Sequence, residues 1–188
     1  MPRAGLSEDR VVEEAELLTD EGVPVTLAAL AGRLGVQVPS LYKHVAGADA
    51  LQQLIATRAK NELADVLARA SVGKAGPDAV AALAVAYRDW ATAHPGRYAS
   101  TLRAPDESNP AEVEAGARAV QIMFDALAGY GLTGEDAIDA TRIFRATLHG
   151  FVALGAAGGF GMPGVDRTFE RLVAVLQRSL ANWPSLTI

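Results

Sequence analysis

Residues 26–45, TLAALAGRLGVQVPSLYKHV, hold the side chains best spaced to do chemistry. The second half carries Gln37, Ser40, Tyr42, Lys43 and His44, all hydrogen-bonding groups, interleaved with the apolar Leu41 and Val45. On a helix this spacing sends Leu41 and Val45 inward and Gln37, Ser40, Lys43 and His44 outward. A helix with that face suits the DNA major groove, about 12 Å wide, where base edges are read by hydrogen bonds. An ordinary helical corner has the same periodicity. Other chemistries are poorly supplied. With no cysteine in the chain, disulfides, thiolate metal sites and cysteine nucleophiles are excluded. The three histidines, His44, His94 and His149, form no H-E-x-x-H zinc pattern, and no phosphate-cradling glycine loop precedes a lysine. Glu135 and Asp136 are adjacent carboxylates at a helix start, where they complement the helix dipole. No catalytic residue, metal site or cofactor is expected, and the chain is not read as an enzyme.

The elements that must position this face are all helical, because no run alternates with period two. Ser7 can cap a first helix with Val11, Val12, Ala15 and Leu18 on one side, ending at Gly22. Thr26 can cap a short second helix carrying Leu27, Leu30, Ala31 and Leu34. Gly35 allows a left-handed turn, and Pro39 fits the first turn of the third helix, which Gly47 stops. A fourth helix is expected from about 48 to 70, followed by a linker-like stretch from Ser71 to Asp78. Beyond it the pattern gives a helix over 78–94 stopped by Pro95, a short one near 97–103, and one from Asn109 and Pro110 to Tyr130. Thr133 starts another to about Gly155, and the last follows Asp166. About nine helices result, an all-α fold, divided into a DNA-binding part (1–48), a connecting helix (about 48–70) and a larger helical part (71–188).

Charge limits the reading. The net charge is −5, and residues 1–60 hold six Lys/Arg against eight Asp/Glu, so DNA binding must rest on a local element rather than on bulk attraction. The uncharged run from Ala146 to Val165 is too rich in glycine and alanine for a membrane span, and the N-terminus has no apolar signal region, so a cytoplasmic protein is expected.

The helix–glycine–helix spacing, together with A-x-x-L-G-V before L-Y-x-H, resembles the DNA-binding domain of the TetR family of bacterial transcriptional regulators. The likeness covers residues 7 to about 60. A-H-P-G-R-Y-A at 93–99 is similar to a run common after the first ligand-domain helix. L-H-G-F-V-A-L at 148–154 resembles the subfamily named after a Trp, a His and a Gly. The resemblance implies a regulator, most simply a repressor, that binds a palindromic double-stranded DNA operator as a homodimer. Tyr42 and Thr26 would bond phosphates. Gln37, Val38, Pro39, Ser40 and Lys43 would face base edges or adjacent phosphates, and Ala48 would open the fourth helix against the backbone. His44 would contact DNA or serve a local structural role. The sequence departs from many relatives in having Ala48 where they carry lysine and Val45 where they carry an aromatic residue. The lost cation predicts modest non-specific affinity and a shallow salt dependence.

The resemblance also implies that the C-terminal half dimerises through its last two helices and senses a small, mostly apolar effector. The helix from Asp136 has apolar or small residues on most sides, more than one buried face requires. Its Gly150 and Gly155 would permit close helix approach. Tyr87, Trp90, His94, Tyr98, Met123, Phe124, Arg145 and His149 are the candidate pocket lining, although large residues at helical spacing also simply fill cores. An activator of the same fold, or a helical partner protein that has lost DNA binding, remains open at this point.

Overall fold

The computed structural model describes residues 6–183, which form nine α-helices and no strand. In chain order they are α1 (Glu8–Asp20), α2 (Leu27–Leu34), α3 (Val38–Leu41), α4 (Ala48–Ser71), α5 (Gly76–Ala93), α6 (Pro95–Ser100), α7 (Pro110–Ala128), α8 (Gly134–Ala156) and α9 (Val165–Ala181). None of the described helices is long and apolar enough to cross a membrane.

Several helix starts follow directly from the capping residues. Ser7 and Thr26 accept bonds from the Arg10 and Ala29 amides, satisfying donors that the first turn leaves open. Asn109 does the same for Glu112 ahead of Pro110. Thr133 is extended before α8 but makes no side-chain cap. Two segments differ from the pattern read in the sequence. The expected linker over 71–78 shrinks to Val72–Ala75, because Pro77 is compatible with a first helical turn and Asp78 favours its dipole. Pro95 opens α6 rather than only closing α5, for the same reason.

The chain divides into two compact units. The first runs to Glu62 and also takes His94–Ala115; the second comprises Leu63–Ala93 and the chain from Gly116 onward. The break therefore falls inside α4, and α6 belongs with the N-terminal helices. In the first unit Val11, Val12, Ala15 and Leu18 of α1 meet Leu30 and Ala31 of α2, Leu41 and Val45, and Leu51 and Ile55 of α4. Burying each large aliphatic side chain contributes roughly 1.5–3 kcal/mol. Polar contacts seat α6 on α1: Asp20 accepts from the Arg97 backbone amide and from its Nε, at 2.8 and 2.7 Å. Glycine at 96 makes this seat possible, since a Cβ there would overlap the Thr19 carbonyl. A buried ion pair, Lys60 Nζ to Glu112 Oε1 at 2.5 Å, joins α4 to the first turn of α7.

In the second unit α5 buries Val80, Leu83, Tyr87 and Trp90, and it packs against α8 and α9. Phe144, Leu148 and Phe151 of α8 and Phe169, Val173 and Leu176 of α9 complete that core. Phe151 and Phe169 lie 5.1 Å apart between centroids, and the Arg88 guanidinium sits 4.2 Å over the Phe169 ring. Gly129, just past α7, lies against Gly76, where a Cβ would overlap backbone.

Candidate nucleic-acid interface

The turn between α2 and α3 is set by hydrogen bonds around Gly35. Its φ of 67° is left-handed, and the Gly35 and Val36 amides donate back to Gly32 and Ala31. This paired closure stops α2 and reverses the chain within one residue. Gln37 is then extended, with φ −88° and ψ 144°, and Pro39 occupies the first turn of α3. The regular part of α3 is short, ending at Leu41. The helical path nevertheless continues through a tight turn, because His44 and Val45 amides both donate to the Leu41 carbonyl, at 2.8 and 3.0 Å.

This geometry separates the two faces. Leu41 is fully buried and Val45 is 3% exposed, so both anchor the segment in the core. Tyr42 is 58% exposed, and Gln37, Pro39 and Lys43 are also exposed. Val38, Ser40 and His44 are half-buried, lying where the segment turns from solvent to core. Thr26 and Ala48 are exposed at the starts of α2 and α4. The Thr26 hydroxyl oxygen accepts the cap bond, leaving its proton free to donate outward. At α4, Leu51 is the first amide to find an intrahelical acceptor, Gly47. Asp49 adds a negative charge to the same turn.

Electrostatics around this surface are not apparent from counting charges. Arg33 of α2 binds Glu21 through two nitrogens, at 2.7 and 3.1 Å, and Glu14 through Nε at 2.8 Å. The hydrogen bond to Arg33 holds the Glu21 carboxyl below its ordinary range. Two of the acids in α1 and its cap thereby share one guanidinium, which offsets half of their charge, and one of the few basic residues is committed to them. This clamp is not legible in the sequence, because the partners lie 12 and 19 positions away. Lys43 has no such partner among the described residues and is the exposed cation of the α3 segment.

The eight candidate effector-lining residues separate. Tyr87, Trp90 and Met123 are buried in the second unit, Phe124 and His149 are half-buried there, and Arg145 is exposed. His94 and Tyr98 belong to the first unit. The His94 ring contacts Arg97 at 2.5 Å and Asp20 at 3.4 Å, and Tyr98 is buried. The structure thus distributes these eight residues over both units.

Residues 80–176, just over half of the chain, match the family described as tetracyclin repressor-like, C-terminal domain. An uncharacterized HTH-type transcriptional regulator of Mycobacterium tuberculosis is 38% identical over 173 residues, covering 90% of this chain and 79% of that protein. The chain belongs to the TetR family. TetR-family chains are transcriptional regulators of the helix-turn-helix type, not enzymes. Among solved structures, a protein of unknown function from Rhodococcus sp. RHA1 is 29% identical, with a TM-score of 0.79 over 96% of this chain and 99% of that one. The TetR family protein ActR of Streptomyces coelicolor, in complex with (S)-DNPA, shares the fold at 20% identity, with a TM-score of 0.65 over 95% and 98%. The TetR assignment agrees with the resemblance carried by residues 7 to about 60, and the all-helical architecture of the described residues agrees with the absence of period-two alternation.

Proposed function

We propose that this TetR-family chain is a cytoplasmic repressor that binds a palindromic operator as a homodimer and leaves it when a small molecule binds. The observation that carries the reading is the split at α3: Leu41 and Val45 hold the segment in the core while Tyr42 and Lys43 stand in solvent. In this reading Tyr42 and the Thr26 hydroxyl donate to phosphates and fix register on the duplex. Gln37 and Ser40 meet base edges, Val38 and Pro39 touch thymine methyls, and Lys43 reaches a base or a nearby phosphate. His44 supports the segment or bonds the backbone, and Ala48 lets the α4 start lie close to the DNA.

Dimerisation is assigned to α8 and α9. Ile143, Ala146, Gly150 and Leu154 follow one another at helical spacing, and all but half-buried Gly150 are exposed. Val175 of α9 is exposed as well. Apart from its two chain neighbours and the adjoining backbone of α8, no atom of the described residues comes within 4 Å of a Cβ built at Gly150, which leaves room for a helix of a second copy. A two-fold pair is the commonest oligomer and matches a palindromic site. The effector is read as small and mostly apolar, from the family resemblance and the aromatic side chains of the middle helices, and as favouring the non-binding spacing of the two heads. Tyr87, Trp90, Met123, Phe124, Arg145 and His149 are its proposed contacts, all within the second unit. The 148–154 run keeps the Trp-His-Gly type of ligand domain as the proposed subfamily.

The test is selection of bound fragments from genomic DNA by the purified chain, followed by gel shifts at low and high salt. A recovered inverted repeat with half-sites one helical turn apart is expected. Absence of any specific shift at any salt would sink the reading.

A further inference from the structure

The first unit contains an open cavity of about 680 Å³ between the first turns of α4, the end of α6 and the loop that follows it. None of the eight candidate effector residues lines it. Its lining mixes the methyl groups of Ala56, Ala99 and Ala104 with charged and polar side chains. Arg103 supplies one guanidinium, which makes no hydrogen bond or ion pair among the described residues, although its charge helps to hold the Asp106 carboxyl ionised. Asp49 supplies a carboxylate that is likewise unpaired. Asp106 supplies a second. Its Oδ1 accepts from the Ser108 amide and hydroxyl, which holds the carboxyl below its ordinary range, while Oδ2 accepts only from Gln53. The loop bearing Arg103 and Asp106 is pinned from below, because the Asp106 amide donates to Glu112, the buried partner of Lys60.

The cavity therefore presents two carboxylates and one guanidinium beside alanine methyl groups. We infer that it binds a small amino acid with a cationic side chain, whose carboxylate pairs with Arg103 and whose ammonium groups face Asp49 and the open side of Asp106. The charges match in number and sign, and the methylene chain of such a ligand suits the alanine methyl groups of the lining. A guanidinium favours carboxylate through paired N–H donors, which fixes the orientation. This is a polar site in the DNA-binding unit, additional to the apolar effector proposed above. An occupant joins the start of α4 to the loop before α7.

Isothermal titration of the full chain with L-lysine, without DNA, tests the inference. Because no DNA is present, failure here leaves the regulator reading standing, and a failed gel shift leaves this measurement intact. L-lysine is expected to bind, while cadaverine (no carboxylate) and norleucine (no side-chain cation) bind at least about tenfold more weakly. Arg103→Ala is expected to weaken lysine to the level of cadaverine, and Asp49→Asn to weaken it about tenfold. Both positions are exposed, so the variants should keep the wild-type circular dichroism. No heat up to about 10 mM lysine, equal binding of cadaverine, or unchanged binding by both variants would overturn the site.

Discussion

Tyr42 and Lys43 are neighbours in sequence, but the proposed interface separates them by what each can lose. Tyr42→Phe removes one donor and leaves the ring, so operator affinity should fall by about 1 kcal/mol, equally for all sequences. Lys43→Ala should reduce the salt slope of binding by about 0.9 if the ammonium neutralises one phosphate. Titrations across a salt series, on operator and random DNA, measure both. Glu16 is a residue-scale case of a different kind. Burial raises its carboxyl above the ordinary value, with neighbouring Glu62 and Asp20 adding to the rise and Arg58 and Arg97 opposing it. Arg58 Nε lies 3.2 Å from Glu16 Oε1 but is not aligned as a hydrogen bond to it. A raised folded value means that the contribution to stability is present below the ordinary carboxylate range and is lost as pH climbs through the raised one. Glu16→Gln should therefore be as stable as wild type or more so at neutral pH, and the advantage should shrink on acidification. Paired thermal melts from pH 7 downward test this; a glutamine variant that loses most stability at neutral pH would show that the Arg58 attraction dominates.

Among the elements, α6 is held by backbone proximity and α7 by buried charge. Gly96→Ala places a methyl on the Thr19 carbonyl, which neither helix can move without breaking the Asp20–Arg97 bonds. The expected loss is about 1–3 kcal/mol, as for overpacking elsewhere, and it is read from the denaturant midpoint. Lys60→Met leaves Glu112 buried without its cation and should destabilise by about 3–5 kcal/mol. Adding Glu112→Gln should recover part of the loss, because an amide can still accept from the Asp106 backbone. If the double variant is no better than the single one in chemical denaturation, the ion pair is not the source of the effect. The sequence indicated where these helices begin but not these contacts. Capping by Ser7, Thr26 and Asn109 involves residues three apart, whereas Gly96 meets Thr19 and Lys60 meets Glu112 across long stretches of chain.

For the whole molecule, the proposed dimer makes stability and DNA binding depend on concentration. Ile143→Glu together with Val175→Glu puts carboxylates on the exposed apolar face without touching the buried side of either helix. Sedimentation should show the wild type as a dimer and the double variant as a folded monomer, with operator affinity reduced at least about tenfold. A wild-type monomer that still binds the full operator would end the two-fold reading. Taken alone, the sequence determined the helical content, the turn at Gly35, the burial of Leu41 and Val45 and the exposure of Gln37 and Lys43, though not the half-buried places of Ser40 and His44, because each of the former depends on side chains within a few positions of one another. Only the tertiary structure decided that Arg33 is committed to Glu14 and Glu21, that α6 belongs with the N-terminal helices, and that Arg103 and Asp49 share a cavity. Those facts depend on which distant segments meet, and periodicity within a helix says which face is buried but not what buries it.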